Sequence, residues 1–444
     1  MDVRLMSGLR GLGGGPRALT DRNVRMSGAE AVNKLLRAFR KAEDNNPYQL
    51  PEMATPPTVA VSATTDAALA ASIPLATANA LTAAAAKVAW YGGVPAVIAN
   101  TFVGMPVVSN LPANGNLASL ANANVSADLS MYNHAAEIMT DADTVEFSIY
   151  CRTDRKVMFQ VDGQYVSKAG HVGVTASNSY NFFKLTFTSK RPRRIRILMS
   201  NMSEAASSPT MLSAVRLSAL SAFWKPDQSG VLRLGCYTDS YGMGGGTQTN
   251  WDTPNAAFTT LAGELLGMRD VRQLSQFGTG YIATGSGRSK LLAQIPRSIS
   301  QQGPWDLILV AHGYNDAAQA PATVQAEALA ALRLIREGAP NVPIVVVGPW
   351  GGRTGPSAAV VGVENAISSA VTALADPLCR FAPNSTAAQP FLFGTGYQGA
   401  TNASGNSDVY IGTDGTHFTP IVGHEYGAYR VATAVRDAVE AMLK

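Results

Sequence analysis

Residues 306–311 read DLILVA, and this stretch decides the fold class of the chain. Its five consecutive apolar residues are typical of a strand that is covered on both faces, as in a parallel sheet. Two further buried strands are predicted at 231–236 (VLRLGC) and 343–348 (PIVVVG), and helices are predicted near 322–337 and 421–443. Strands that alternate with helices predict an α/β domain whose parallel sheet has helices on both faces.

The α/β pattern begins after Pro226, and a different pattern precedes it. Short runs that alternate polar and apolar residues and are rich in aromatic and β-branched side chains occupy 144–150, 156–161, 182–187 and 194–199. This composition predicts antiparallel strands of an all-β sandwich. The basic stretch 189–196 (SKRPRRIR) is either a basic patch or a turn followed by the solvated face of an edge strand, and the second interpretation is favoured.

The first 50 residues form a Gly/Arg-rich arm followed by one predicted helix. Ser27 and Glu30 match a capping box, in which each side chain satisfies an unpaired amide at the helix start. An apolar stripe follows at helical spacing. Its members are Val32, Leu35, Leu36 and Phe39. The stripe either packs on the protein's own domains or docks on a partner. Because a single helix outside a domain would leave it exposed, we predict that residues 1–50 mediate assembly into a homo-oligomer or larger particle.

Residues 54–87 are rich in Ala, Thr, Ser and Pro and contain almost no charge, so they are a linker or a segment packed against something. The predicted organisation is therefore an arm, helix and linker over 1–87, a β-sandwich accessory domain over 88–224 and an α/β domain over 225–444. A further helix is predicted to start at Thr253-Pro254 and to end at Gly267.

The composition excludes several classes of protein. Hydrophobic residues make up 46% of the 444 positions and charged residues 15%, as in a globular protein. The net charge of +4 lies entirely in residues 1–50, which is too small an excess to predict nucleic-acid binding. No stretch approaches the roughly 20 apolar residues that span a bilayer, and the first residues do not resemble a secretory signal. Three distant cysteines argue against a disulfide framework or a zinc site.

Three short motifs stand in the second half of the chain, each beside the end of a predicted strand or before the last helix. They are 238–240 (TDS), 313–316 (GYND) and 414–417 (DGTH). In a parallel sheet, ligands gather at the carboxyl ends of the strands. Each motif alone has an ordinary structural explanation, such as a Ser or an Asn in a turn. Their combination predicts a serine esterase.

The motifs supply the groups that acyl transfer needs. Ser240 is the predicted nucleophile and His417 its base, while Asp414 lies three residues earlier, where its carboxylate can accept from one imidazole nitrogen. The Asn315 amide is predicted to donate to a developing oxyanion. Asp316 is expected to brace its loop instead of reacting.

Other polar and glycine residues near the motifs are given supporting roles. The glycines after the Ser motif are predicted to permit a tight turn and to leave room for substrate. They are Gly242, Gly244, Gly245 and Gly246. His312 borders the Asn motif and is expected to pack behind the site, although it could line the pocket. His424, within the last helix, is expected to be structural.

Over residues 230–444 the chain resembles the SGNH (GDSL-like) hydrolases. The resemblance matches Ser240 to the nucleophile, Asn315 to the family Asn, and Asp414 and His417 to the Asp-x-x-His block. The glycine of the second block is best matched by Gly278 in residues 276–281 (QFGTGY), with Gly280 as the fallback.

The resemblance implies a flavodoxin-like fold and an oxyanion hole made by the amides of Ser240 and Gly278 with the Asn315 side chain. No metal or organic cofactor is implied. One departure is Thr238, which stands where the family usually has Gly. The strand-rich region upstream resembles the jelly-roll module that precedes the catalytic domain in several carbohydrate esterases.

The implied substrate is an O-acetylated polysaccharide. Three tyrosines beside the motifs are placed either to stack on sugar rings or to pack the rim: Tyr241, Tyr281 and Tyr314. Trp350, after the strand at 343–348, is a further candidate substrate-binding residue as a wall of the pocket. An esterase with a docking arm would suit a virion, such as a phage tail component, or an extracellular enzyme exported without a Sec signal; a cytoplasmic location stays open. The alternatives are a structural or glycan-binding assembly protein with a vestigial site, and an SGNH lipase or thioesterase.

Overall fold

The computed structural model describes twelve stretches of the chain. They are residues 26–45, 51–77, 80–93, 95–98, 102–104, 133–151, 156–175, 179–200, 210–243, 257–285, 288–387 and 405–444. Three predicted features lie outside these residues: positions 1–25 of the Gly/Arg-rich arm, Gly244–Gly246, and the helix start at Thr253-Pro254. Within the described residues, two seven-stranded antiparallel sheets and a short two-stranded one precede one parallel sheet.

The first half of the described chain is almost entirely β-structure. Its strands are β1 (Thr58–Ser62), β2 (Ile73–Pro74), β3 (Ala76–Thr77), β4 (Ala80–Leu81), β5 (Ala89–Tyr91), β6 (Ala96–Ile98), β7 (Phe102–Gly104), β8 (Asn133–Thr140), β9 (Thr144–Cys151), β10 (Lys156–Val161), β11 (Gln164–Tyr165), β12 (His171–Val172), β13 (Ser179–Thr186), β14 (Arg193–Ser200), β15 (Met211–Leu217) and β16 (Phe223–Trp224). One seven-stranded sheet has the order β1-β13-β9-β15-β7-β6 with β2 beside β15, and the other has β11-β10-β14-β8-β16 with β5 and β12 alongside.

The two antiparallel sheets share one hydrophobic core. Phe147 of β9 and Phe159 of β10 stack with their ring centroids 5.8 Å apart, and Phe183 of β13 lies 6.0 Å from Phe159. Alternate residues of β13 are buried, as the period-two pattern predicts. The predicted antiparallel strands are confirmed, whereas a jelly-roll connection between them stays a prediction.

Two predictions for this region are decided by strand pairing. The Ala/Thr-rich stretch 54–87 follows the second of its two predicted alternatives, a packed segment and not a linker, because β1 pairs along its length with β13. The prediction for the basic stretch is wrong. The basic stretch 189–196 does not lead into an edge strand, because β14 lies between β10 and β8. Arg193 and Arg196 are buried there. Carbonyl oxygens compensate their charge: Arg193 donates to Ser189 at 2.8 Å, and Arg196 to Arg269 at 2.9 Å.

The second half is an α/β domain. Its parallel strands are β17 (Arg233–Thr238), β18 (Asp270–Ser275), β19 (Leu307–Ala311), β20 (Ile344–Val347) and β21 (Cys379–Ala382). The α-helices within the described stretches are α1 (Gly28–Asn45), α2 (Ser240–Met243), α3 (Phe258–Leu265), α4 (Leu291–Gln302), α5 (Pro321–Gly338), α6 (Ala358–Leu374), α7 (Ser407–Tyr410) and α8 (Val422–Ala441). The strand order β18-β17-β19-β20-β21 is the flavodoxin-like order.

Both faces of the parallel sheet are covered by helices, as its continuous apolar strands predict. Along β19, Leu307 and Leu309 face the core shared with α3 and α8, while Ile308 and Val310 face the core shared with α4, α5 and α6. The first strand begins at Arg233 instead of residue 231, because its pairing with β18 starts at that position.

Helix α1 begins with the predicted capping box. The Ser27 amide donates to the Glu30 carboxylate at 2.7 Å, and the Glu30 amide donates to the Ser27 hydroxyl at 3.3 Å. Its apolar stripe is buried in the core of the α/β domain, where no member is more than 6% exposed. The protein's own helices α3 and α8 therefore cover the stripe. Of the two predicted alternatives for the stripe, packing on the protein's own domains is the one observed, while assembly through residues 1–50 stays a prediction.

Buried polar contacts join the antiparallel sheets to the α/β domain. The Gly92 amide donates to Asp270 at 2.9 Å, and the Tyr165 hydroxyl donates to Glu264 at 2.9 Å. Each carboxylate belongs to the α/β domain, and its partner belongs to the β-rich half. None of the helices in the described stretches is long and apolar enough to cross a membrane.

Candidate active site

The order of the parallel strands brings the sequence motifs together. Strand β17 lies between β18 and β19, and its last residue, Thr238, is in register with Ser275 on one side and Ala311 on the other. The chain segments that leave these three strands therefore emerge side by side at the carboxyl edge of the sheet. They contain Ser240, Gly278 and Asn315.

Ser240, His417 and Asp414 form a continuous hydrogen-bonded chain. The Ser240 Oγ lies 2.8 Å from His417 Nε2, and His417 Nδ1 lies 2.8 Å from Asp414 Oδ2. With the ring proton on Nδ1, Nε2 accepts from the serine hydroxyl. This geometry permits the imidazole to take the proton of Ser240 when its oxygen attacks a substrate.

The loop before α8 holds Asp414 in its charged form. Its Oδ1 accepts hydrogen bonds from the amides of Thr416 at 2.9 Å and His417 at 3.0 Å, while Oδ2 faces the imidazole. Burial alone would raise the pKa of Asp414, but these hydrogen bonds outweigh burial and lower it below its usual value. Gly415 permits this turn because its φ of +76° disfavours other residues.

Asn315 connects the segments that follow the three strands. Gly313, two residues before Asn315, has a φ of +124°, which only glycine adopts readily. The Asn315 Nδ2 donates to the Thr279 carbonyl at 2.8 Å and lies 3.4 Å from Asp239 Oδ2. One amide hydrogen is thus held firmly, while the second makes only a long contact.

Asp316 braces the segment after β18, as predicted. Its carboxylate accepts from the amides of residues 281–283 at distances between 2.7 and 3.1 Å. A Cβ atom on Gly280 would lie 2.3 Å from this carboxylate, and the Gly280 amide already donates to the Ala283 carbonyl at 2.9 Å. Glycine is therefore needed at position 280 because the Asp316 carboxylate approaches its backbone too closely for a side chain. Gly278 has a φ of +71°, and its role as the oxyanion glycine stays a prediction.

Thr238 occupies its unusual position without disturbing the site. Its buried hydroxyl bonds to the Ser275 hydroxyl, which ties the ends of β17 and β18 together. A Cβ atom on Gly242 would lie 1.7 Å from Thr238 Oγ1, so the short helix α2 requires glycine there. The reason is the close approach of Thr238, whereas the predicted roles in a tight turn and in leaving room for substrate stay predictions.

Asp239 is a buried acid that the sequence analysis did not single out. One carboxylate oxygen accepts from the Tyr241 amide at 3.1 Å. Burial, and to a lesser degree the nearby carboxylate of Asp316, raises the pKa of Asp239 to about 7. The residue beside Ser240 is therefore largely uncharged at slightly acidic pH.

Solved structures share this architecture at low sequence identity. A salicylyl-acyltransferase from a tetracycline biosynthetic pathway matches with a TM-score of 0.55 and 16% identity, covering 78% of this chain and 93% of that one. A Bacteroides ovatus protein assigned as a GDSL-like lipase matches with a TM-score of 0.53 and 13% identity over 87% of this chain and 98% of that one. The acetyl xylan esterase of the rumen bacterium Butyrivibrio proteoclasticus matches with a TM-score of 0.54 and 13% identity over 84% of this chain and 100% of that one.

The chain has the fold of the GDSL-like hydrolases. The predicted resemblance is confirmed at the level of the fold. Neither a family model nor a curated protein matches the sequence.

Within this GDSL-like fold, most of the predicted substrate-binding aromatics are packed away. Tyr241, Tyr281 and Trp350 are each only 1% exposed, so of the two alternatives for the tyrosines, Tyr241 and Tyr281 follow packing and not sugar stacking, and Trp350 offers no exposed wall. Tyr241 packs against the His417 ring at a centroid distance of 5.4 Å and so supports the imidazole. Tyr314 is half-buried, and its hydroxyl lies 3.2 Å from Thr416 Oγ1.

Phe277 is the aromatic residue that the sequence analysis missed. Its side chain is 37% exposed, and its ring stacks on the His417 imidazole with a centroid distance of 6.2 Å and an interplanar angle of 18°. The available signal was its position immediately before Gly278.

The remaining histidines near the site are packed in the interior, as expected. Burial lowers the pKa of His312 to about 4 and that of His424 to about 3, so both are uncharged at neutral pH. His312 contacts the Tyr281 ring, and His424 contacts the Phe418 ring. Among the residues that the structure describes, no group of three or more His, Cys, Asp or Glu could hold a metal ion.

Proposed function

We propose that this protein is a serine esterase that releases small acyl groups, chiefly O-acetyl groups, from a polysaccharide. The observation that supports this most directly is the position of His417, which lies 2.8 Å from both the Ser240 hydroxyl and the Asp414 carboxylate. A hydroxyl, an imidazole and a carboxylate in this order are the parts of an acyl-transfer triad.

In the proposed first step, Ser240 Oγ attacks the ester carbonyl while His417 Nε2 takes its proton. Asp414 keeps the other imidazole proton on Nδ1 and stabilises the imidazolium that forms. The carbonyl oxygen becomes a tetrahedral oxyanion. His417 then gives its proton to the alcohol oxygen as the carbon–oxygen bond breaks, which leaves Ser240 acylated.

We assign the oxyanion contacts to the amides of Ser240 and Gly278 and to the side chain of Asn315. The second Asn315 hydrogen would exchange its long contact of 3.4 Å to Asp239 for the oxyanion as charge develops, while the first stays on the Thr279 carbonyl. Protonation of Asp239 favours this change, because a neutral carboxyl neither repels the oxyanion nor competes strongly for that hydrogen.

In the proposed second step, water repeats the sequence. His417 takes a proton from the water molecule as its oxygen attacks the acyl-enzyme, and it returns the proton to Ser240 Oγ as the acid leaves. The resting hydrogen-bonded chain is thereby restored.

The choice of an acetylated polysaccharide is supported by the acetyl xylan esterase among the structures of the same fold. The antiparallel sheets upstream fit an accessory role in polymer binding, although such sheets have no function of their own. A virion-associated or extracellular location rests on the sequence alone and remains a prediction.

Replacement of Ser240 tests the proposal directly. Ser240→Ala should lower acetate release from a small acetyl ester by several orders of magnitude, because the reaction loses its nucleophile. Its Tm should change little, since the serine is needed for chemistry and not for packing. Ser369→Ala, which alters an exposed serine on α6, is the matched control and should retain full activity.

Two results would contradict the proposal: undiminished turnover by Ser240→Ala, or no turnover by the wild type across esters from acetyl to long-chain acyl. Acetate release from a panel of acetylated glycans would then identify the natural polymer. Preference for long acyl chains would instead favour a lipase or thioesterase.

A further inference from the structure

The Phe277 side chain lies beside the reacting atoms. It follows β18, four residues before the first of the three amides that donate to the Asp316 carboxylate. The ring stacks on the His417 imidazole, and the Arg288 guanidinium lies over the same ring at 5.5 Å from its centroid. Despite these two neighbours, 37% of the side chain is exposed.

The proposed mechanism determines which half of a substrate meets this ring. His417 Nε2 gives its proton to the leaving oxygen, so that oxygen must come within hydrogen-bonding distance of the imidazole. The alcohol to which it belongs therefore lies around His417. The acyl half lies on the side of Ser240 and the oxyanion donors. Phe277, which stacks on His417, borders the alcohol half.

The Phe277 ring and the Arg288 guanidinium are groups that can bind a sugar. An aromatic ring packs well against the C–H groups of a pyranose, and the neighbouring guanidinium of Arg288 offers several donors to hydroxyl oxygens. The predicted alternatives Tyr241, Tyr281 and Trp350 are too deeply buried to provide such a surface.

We propose that Phe277 forms the subsite for the alcohol half of the ester and selects esters of sugars over esters of simple alcohols. This proposal rests on the proposed function, because it needs the ester to react at Ser240. Phe277 contacts the substrate, and it is distinct from Tyr241, which packs under the imidazole from within the core.

The test compares two acetyl esters that differ only in the alcohol: ethyl acetate and an O-acetylated methyl xylopyranoside. Phe277→Leu retains apolar packing beside His417 but removes the aromatic face. We expect this variant to lower kcat/KM for the sugar ester by about three- to tenfold more than for ethyl acetate, the size of one lost aromatic contact. Phe277→Trp should retain the sugar preference.

Trp224→Ala is the matched control, since Trp224 is similarly exposed, at 39%, but belongs to β16 of the antiparallel sheets. Neither ester should be affected in that variant. An equal loss on both esters in Phe277→Leu, accompanied by a shifted pH profile, would show that the ring only supports His417 and would overturn the proposal. No loss on either ester would overturn it too.

Failure of the proposed function would be visible separately, as no hydrolysis of either ester by the wild type. The subsite is then tested by binding alone. Calorimetry with the sugar ester should give about three- to tenfold weaker binding to Ser240→Ala/Phe277→Leu than to Ser240→Ala. Equal affinities would refute the subsite.

Discussion

Asp414→Asn probes whether the carboxylate controls the imidazole tautomer. Asp414 Oδ1 accepts from the backbone amides of Thr416 and His417, while Oδ2 accepts from His417 Nδ1. An asparagine has one oxygen and one NH₂ group in the same places. Because two backbone N–H groups require an acceptor, the oxygen should occupy the Oδ1 position, and the NH₂ group should face the imidazole.

That orientation reverses the imidazole. An NH₂ donor opposite Nδ1 makes Nδ1 an acceptor, so the ring proton moves to Nε2. Nε2 then donates to Ser240 Oγ, 2.8 Å away, and cannot take its proton. The expected loss in kcat is about 10⁴-fold, as for the equivalent change in a well-studied serine protease. The loop should persist, because both backbone hydrogen bonds are retained.

The assay is acetate release from a small acetyl ester, with Tm measured on the same samples. Asp414→Ala is the comparison, since it leaves two backbone amides without their acceptor, at a cost of about 1–3 kcal/mol for each one that stays buried. We expect Asp414→Asn to be inactive with a nearly unchanged Tm, and Asp414→Ala to be inactive with a lowered Tm. If Asp414→Asn keeps more than about a tenth of the wild-type rate, Asp414 does not set the tautomer.

Three further predictions follow from the site and the core. Asn315→Ala should lower kcat by about 10²–10³-fold with little change in ground-state binding, measured by steady-state kinetics; a loss confined to KM would make Asn315 a recognition residue. Folding raises the pKa of Asp239 from 3.8 to about 7, so the free energy of unfolding should fall as pH rises through that window. The free energy of unfolding should fall by about 1.4 kcal/mol per pH unit in the wild type and stay flat in Asp239→Asn, as measured by thermal unfolding at several pH values. The same pH dependence of stability in both proteins would contradict the raised pKa. Leu35→Ala should lower the free energy of unfolding, measured in urea, by about 2–5 kcal/mol, because Leu35 is fully buried. Arg37→Ala, at an exposed position of the same helix, should lower it little. Equal stability of the two variants would mean that α1 does not belong to the core.

Local patterns in the sequence were sufficient for the α/β alternation and for the order of the motifs. A run such as 306–311 is apolar throughout because both faces of its strand are covered, and that property is written into consecutive residues. The capping box of α1 is equally local, since Ser27 and Glu30 lie three residues apart. The strand-end positions of Ser240 and Asn315 followed from the same reasoning.

Contacts between distant residues were decided only by the tertiary structure. Residues 54–87 resemble a linker by composition, yet β1 pairs with β13 at least 120 positions away. The stripe of α1 shows that it must be buried, but only the packing shows that α3 and α8 bury it. A sequence pattern shows that one face of an element is apolar, but it does not show which other element packs against that face.

The solvent exposure of the aromatic side chains beside the site was likewise decided by the packing of the folded chain. Tyr241 and Phe277 are both aromatic residues next to a motif, and nothing in their immediate sequence distinguishes them. The fold places one under the His417 imidazole at 1% exposure and the other over it at 37%. The raised pKa of Asp239 has the same origin, because it depends on burial and on a carboxylate 77 positions away in the chain. The sequence alone determined which chemical groups reach the carboxyl edge of the sheet, because strand ends are local features. Only the folded chain determined which of these groups face water, because burial is the sum of contacts with residues far apart in the chain.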